Sequence, residues 1–311
     1  MSKGWNFHHG DHHDLSSEML MARVAEVTET AVESGALKSI MTETESVIEE
    51  GIEFELRSIS SYRRKSAAKK ARDPDFNPFL PFERALYVCD VPGSTSTPDG
   101  AETPYVCVLN KFNVVERHML IITRAFELQT HALTLGDFSA LAHVLREVDG
   151  LCFYNSGAES GASQRHKHMQ LLPTSATPFD THFQGFRDDT PSRIPALEFA
   201  HLGMNLPYDE STRPSGIALM SVYTTLMGGL GITVGADGES SAPYNMLATR
   251  HWMMLVPRTR ESVCEPNDLA GDTGVSLNSL AFVGKLLVKD RAQKETLLRV
   301  GLMKALSSVT E

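Results

Sequence analysis

The sequence is short of the features that mark secreted, membrane-spanning or nucleic-acid-binding chains. Its four cysteines, Cys89, Cys107, Cys152 and Cys264, lie far apart, and none forms a CxxC pair. That excludes a disulfide framework and a thiolate zinc site; three of the four sit in apolar runs, where a free cysteine acts as a small core residue. No apolar run reaches the roughly 18 residues of a membrane span. The opening stretch MSKGWNFHHGDHHDLSSEML also lacks the apolar segment of a secretory signal. The expectation is a cytoplasmic protein with no membrane contact. Positive charge is scarce: 29 Lys and Arg stand against 39 Asp and Glu, a net charge of -10. This argues against a nucleic acid polymer as partner, while a small anion needs only a local basic pocket. Internal repeats and low-complexity linkers are missing too. Their absence favours a single domain over residues 1–311, with a catalytic core at about 54–175 and a C-terminal extension at about 176–311.

What is present begins with a polar, histidine-rich terminus carrying His8, His9, His12 and His13, read as a loose end. A helix is expected from Ser17, with Leu20, Val24, Val27 and Ala31 on one face and Gly35 as its stop. Residues 54–60 alternate weakly as a strand. A basic stretch follows (Arg63, Arg64, Lys65, Lys69, Lys70, Arg72), whose charge pattern alone suits a solvated face. Short apolar runs at 85–90, 104–110, 118–124 and 151–155 are bounded by turn residues and read as strands. Thr134 and Asp137 cap a helix lined by Phe138, Leu141, Leu145 and Val148. Further on, residues 176–215 look like a polar excursion or lid and 216–232 like a helix. YNMLAT and WMMLVP form a hairpin, and a last helix covers roughly 291–308. Strands and helices mixed without a regular βαβ rhythm indicate an α+β fold.

Chemistry concentrates at His166, His168 and Gln170. At spacings of i, i+2 and i+4 these side chains share one face of a strand, with Lys167 and Met169 opposite. Upstream, Ser160-Gly161-Ala162-Ser163 is small enough for backbone amides to approach an anion. Imidazoles beside such a nest suit nucleotidyl transfer, in which an imidazole attacks phosphorus and amides neutralise the equatorial oxygens. The pair alone leaves other readings open. The two histidines can be ordinary surface or core residues, or zinc ligands completed by His118, His131 or Asp180.

The segment NSGAESGASQRHKHMQLLP (155–173) resembles the active-site segment of the diadenosine tetraphosphate phosphorylase (ATP adenylyltransferase) family of the histidine-triad superfamily. LNKFNVVERHMLIITR (109–124) and SLNSLAFVGKLLVK (276–289) resemble two further segments of that family. The resemblance implies a histidine-triad-like antiparallel sheet with flanking helices and N- and C-terminal extensions. It also implies His168 as the nucleophile that takes the adenylyl group, with His166 positioning it partly through its backbone carbonyl. Gln170 would hold the phosphate of the intermediate. Asn155, Gly161, Ala162, Ser163 and Gln164 would bind phosphate or ribose. Asn110, Lys111, Asn278, Lys285 and Lys289 would line the nucleotide pocket, and Lys70, or its neighbour Lys69, would be the lysine ahead of the proline-rich loop. Lys285 stands where the family pattern has an apolar residue, often methionine, so its contact would be backbone-mediated or altered, and its charge would extend the phosphate-binding surface. The implied activity is cleavage of a diadenosine polyphosphate by phosphate to ADP and ATP. No cofactor would be obligatory and no metal resident, although Mg²⁺ could accompany the polyphosphate. A hexose-1-phosphate nucleotidylyltransferase type, which shares H-x-H-x-Q, and a non-catalytic nucleotide-binding protein are the alternatives.

Overall fold

The computed structural model describes residues 17–59, 76–93, 104–174, 176–207, 214–263 and 274–310. Lys70 and the rest of the basic stretch, the four N-terminal histidines and Cys264 lie outside them. Helix α1 (Ser17–Glu33) buries Leu20, Val24, Val27 and Ala31, the face expected from their spacing, and is followed by Gly35 at φ 72°. Next comes a hairpin of β1 (Thr42–Glu49) and β2 (Ile52–Ile59). Both residues of its turn, Glu50 and Gly51, have positive φ, as a two-residue hairpin loop requires.

The centre is an eight-stranded sheet. Its first strands are β3 (Tyr87–Val91), β4 (Tyr105–Leu109) and β5 (Met119–Thr123). Helix α2 (Leu135–Glu147) follows, closed at its start by a capping box in which Thr134 and Asp137 satisfy each other's backbone N–H. Strands β6 (Leu151–Asn155) and β7 (His168–Leu172) come next, then the single turn α3 (Asp180–Phe183). The chain adds β8 (Leu202–Asn205), helix α4 (Gly216–Gly229), β9 (Tyr244–Ala248) and β10 (Trp252–Pro257). The strand order is β3-β4-β5-β7-β6-β9-β10-β8, and every neighbouring pair is antiparallel. The short pair β11 (Ser262–Val263) and β12 (Val275–Ser276) leads to β13 (Lys285–Val288), which pairs in parallel with β2. This is the α+β architecture with a large antiparallel sheet that the sequence led us to expect. No helix among the described residues is long and apolar enough to cross a membrane.

Each face of the sheet carries its own core. Met169, Leu171, Cys152, Tyr154, Met246 and Met253 pack with α1, α2 and α4. Leu151, Phe153, Leu172, Leu247 and Met254 face the other way, toward β2 and β13. The alternation is that of period-two strands buried on both sides.

Three expectations need correcting. The described residues of 176–215 do not form a lid: Phe179, Phe183, Phe186, Leu197 and Phe199 are buried in the second core, and Ser192 pairs with Gly203. Their aromatics are separated by polar and proline positions, which hid the apolar face. The last helix is two, α5 (Arg291–Val300) and α6 (Leu302–Ser307), broken at Gly301 with φ 92°. Glu49 of the hairpin accepts from the N–H groups of Leu302 and Met303, so it caps α6 from a distance. Residues 176–311 also supply β8, β9 and β10, and the boundary expected near 175 falls between strands of one sheet.

Candidate functional site

Period two puts His168 and Gln170 on the second-core face of β7, across from Ile122 and Leu120 of β5. His166, just before the strand, is bridged to Leu128. The two imidazoles are held in opposite tautomers. His166 Nε2–H donates to the Thr123 carbonyl at 2.8 Å, so its Nδ1 accepts from the Asn77 amide at 3.0 Å. His168 Nδ1–H donates to the His166 carbonyl at 2.8 Å, leaving Nε2 with a lone pair and no hydrogen-bond partner among the described residues. Phe79 packs against both rings, at 5.1 Å from His168 and 5.6 Å from His166.

Burial sets the charge state. Desolvation pulls the His168 pKa down to about 4, only partly offset by its bond to the His166 carbonyl. His118 is likewise lowered to about 4 by burial, and His166 is lowered for the same reason. The site is therefore a row of neutral imidazoles. Sequence reasoning weighed His118 only as a metal ligand. The fold places it beside Gln170 and bonds its Nδ1 to the Asn110 amide at 3.2 Å. Its place at the start of the apolar run 118–124 was the available signal.

Asn155 ends β6, its carbonyl oxygen Oδ1 taken by Asn245 Nδ2 at 2.8 Å and Ser279 Oγ at 2.6 Å. Asn245 also donates to the Ser160 carbonyl, and its own oxygen accepts from Arg258 Nη1 at 2.6 Å. Arg258 is buried and stacks over Phe282 at 5.2 Å, and burial lowers its pKa to about 10. This chain of bonds ties the small-residue loop to the sheet. Within that loop Gly157 and Gly161 take φ 85° and 87°. The amides of Gly161 and Ala162 are used internally, on Ala158 and Gly157 carbonyls, whereas Ser163 and Gln164 donate to no backbone carbonyl among the described residues. A Cβ on Gly161 would lie 3.0 Å from that of Asn278, so only glycine allows this approach. Asn278 in turn caps the one-turn helix Ser279–Val283 through Leu280 N.

The fold thus gathers His166, His168, Gln170, Asn155, Gly161 and Asn278, and it links Asn110 through His118. The expected lysines make other contacts: Lys111 pairs with Glu83 at 2.5 Å, Lys285 donates to the Ala176 carbonyl at 3.4 Å, and the backbone N–H of Lys289 donates to Gln293. Lys70 lies outside the described residues. Among the described residues no three His, Cys, Asp or Glu side chains gather to hold a metal ion, so His118, His131 and Asp180 complete no zinc site with the histidine pair. On the opposite face Lys167 is buried, its Nζ 2.7 Å from Asp137, 3.1 Å from Glu127 and 3.2 Å from the Ala132 carbonyl.

A family model described as the Ap4A phosphorylase N-terminal domain matches residues 10–183, and one described as the ATP adenylyltransferase C-terminal domain matches residues 195–310. The chain is 32% identical over 258 residues to diadenosine 5',5'''-P1,P4-tetraphosphate phosphorylase 2 of Saccharomyces cerevisiae, covering 75% of this chain and 74% of that protein. It superposes on the crystal structure of yeast Ap4A phosphorylase Apa2 in complex with Ap4A with a TM-score of 0.74 at 25% identity, covering 94% and 97% of the two chains. The complex of the same protein with AMP gives 0.73 at 26% identity, over 94% and 96%.

Proposed function

The chain belongs to the Ap4A phosphorylase (ATP adenylyltransferase) family, and from that premise we propose that it cleaves diadenosine tetraphosphate with phosphate, through an adenylyl group carried on His168. The observation that supports this most directly is the bond from His168 Nδ1–H to the His166 carbonyl. It commits the ring to the tautomer whose Nε2 is unprotonated, and burial keeps that nitrogen neutral.

In the first displacement Nε2 bonds to the α-phosphorus and the bond to the bridging oxygen breaks, releasing ATP. The adduct is a cationic imidazolium, a good leaving group. In the second, a phosphate oxygen bonds to the same phosphorus, the P–N bond breaks, and ADP leaves with the ring neutral again. The Ser163 and Gln164 amides suit the equatorial oxygens, and Gln170 suits an oxygen of the bound adenylyl group. Its amide hydrogen-bonds but exchanges no proton near neutral pH, so the intermediate waits for an anionic acceptor. Lys285, Lys289 and Lys111 are the cations assigned to that acceptor. On this reading the chain needs no resident cofactor, Mg²⁺ travels with the polyphosphate, and the reaction is cytoplasmic.

Chromatographic product analysis, with phosphate present or rigorously removed, tests the proposal. ADP plus ATP should form only with phosphate. Equal rates in both conditions, with AMP as a main product, would make water the acceptor and overturn it.

A further inference from the structure

Strands β6 and β7 separate one rung too early. Their register runs from Leu151 opposite Leu172 to Phe153 opposite Gln170. Continued, it would set Asn155 opposite His168. That rung is absent, because after Asn155 the chain turns off into the 156–164 loop. The gap is filled from elsewhere. Gln129 Oε1 accepts the His168 N–H at 2.8 Å, and Gln129 Nε2 donates to the Asn155 carbonyl at 2.9 Å and to the His168 carbonyl at 3.2 Å. A carboxamide carries the same donor and acceptor as a peptide unit, so one side chain replaces the missing ladder bonds. Gln129 is itself buried and fixed: its N–H donates to the Arg165 carbonyl at 2.8 Å, and its carbonyl accepts from the Tyr154 hydroxyl.

We propose that Gln129 is a positioning residue for adenylyl transfer, its carboxamide wedged between β6 and β7 to hold the main chain of His168. The inference rests on His168 being the nucleophile. The bond from His168 Nδ1–H to the His166 carbonyl is local, closing between residues two apart in the chain. Its length therefore follows the backbone dihedrals between them, which Gln129 fixes by gripping both polar groups of the His168 peptide. With the wedge gone, those groups seek water or other partners, and the ring can turn to its other tautomer, which carries the proton on Nε2 and cannot attack.

The test uses the full chain with Gln129→Met, which keeps the volume but has no donor or carboxamide acceptor, and Gln129→Glu. Three quantities are read: the rate of His168 labelling by diadenosine tetraphosphate without phosphate, the affinity for that substrate, and the His168 tautomer by imidazole nitrogen NMR. Rates are scaled to the folded fraction from thermal melting. The Met variant should label about 100-fold more slowly, with affinity within about threefold, and should populate the Nε2–H tautomer. In the Glu variant a carboxylate faces two carbonyl oxygens. Its protonated form restores one acceptor and one donor, so its rate relative to the unsubstituted protein should climb as the pH is lowered. For the Met variant, either a rate within about threefold or an unchanged His168 tautomer overturns the proposal. Failure of the unsubstituted protein to label on His168 would instead strike the nucleophile assignment, while the tautomer measurement still judges Gln129.

Discussion

The two faces of the central sheet are built by the same strands and do opposite things. On β7, Met169 and Leu171 enter a core of helices and find apolar neighbours, while His168 and Gln170 face the polar row of the site. The helix-covered face holds a charge at this strand too, but a matched one: Lys167, between the two histidines, is locked onto Asp137, which also caps α2. Among the described residues the polar face leaves groups open, including His168 Nε2 and the Ser163 and Gln164 amides. The contrast teaches a division of labour at single-residue spacing. Groups that must meet a ligand can stay unpaired because the residues between them are held on the other side.

The sharpest way to break that division is to remove the proposed nucleophile. His168→Ala should lower turnover by about 10⁴-fold or more, with nucleotide affinity within about tenfold. Labelling of the protein by adenylate should vanish with it, and a near-normal rate would end the assignment. Lys167→Met attacks the other face, leaving Asp137 buried with its charge uncompensated. Unfolding free energy should fall by about 3–5 kcal/mol in denaturant titration, while the labelling rate per folded molecule survives. If the rate collapsed and stability held, the faces would not divide as described.

Acid should act on activity and stability at once. Burial holds His168 and His118 near pKa 4, against an ordinary value of 6.5. In the proposed mechanism the neutral ring attacks, so the labelling rate should persist below pH 6.5 and fall only toward the folded value near 4. The unfolded chain takes up protons on these rings near 6.5 and the folded chain does not, so stability should decline as the pH drops through the same window. A rate that halves at the ordinary histidine value would mean that water reaches the ring freely. The smallest effect concerns Lys285, whose ammonium donates to the Ala176 carbonyl. Lys285→Ala should raise the KM for phosphate roughly fivefold and leave that for the dinucleotide unchanged. Equal shifts in both constants would assign it to nucleotide binding instead.

Much of the fold was legible because its signals are local. Four of the central strands announce themselves as short apolar runs between turns, and α2 by Thr134 and Asp137. His166, His168 and Gln170 share a face by spacing alone. Strand β1 was not legible: its sequence TETESVIE is charged and mostly exposed, and it is a strand because β2 pairs with it. The partners of the histidines were hidden for a different reason. Asn77, Thr123 and Gln129 lie 89, 43 and 39 residues from the histidine each one bonds. No local pattern marks them, since only the sheet order brings them in.

That sheet order has a practical side. Five neighbouring strands, β3-β4-β5-β7-β6, come from the part of the chain ahead of residue 183, and β9-β10-β8 come from the part after 195. Within this sheet the two parts meet along a seam where Cys152, Phe153, Tyr154 and Asn155 face Ala248, Leu247, Met246 and Asn245, and β13 joins them again at β2. Residues 187–190, in the connection between them, are exposed. A chain cut there yields a split reporter: one fragment carries His168, and the other carries Asn245, Arg258 and Ser279, which brace Asn155. Each fragment alone ends in a raw, sticky strand, and adenylate labelling would report that the seam has closed.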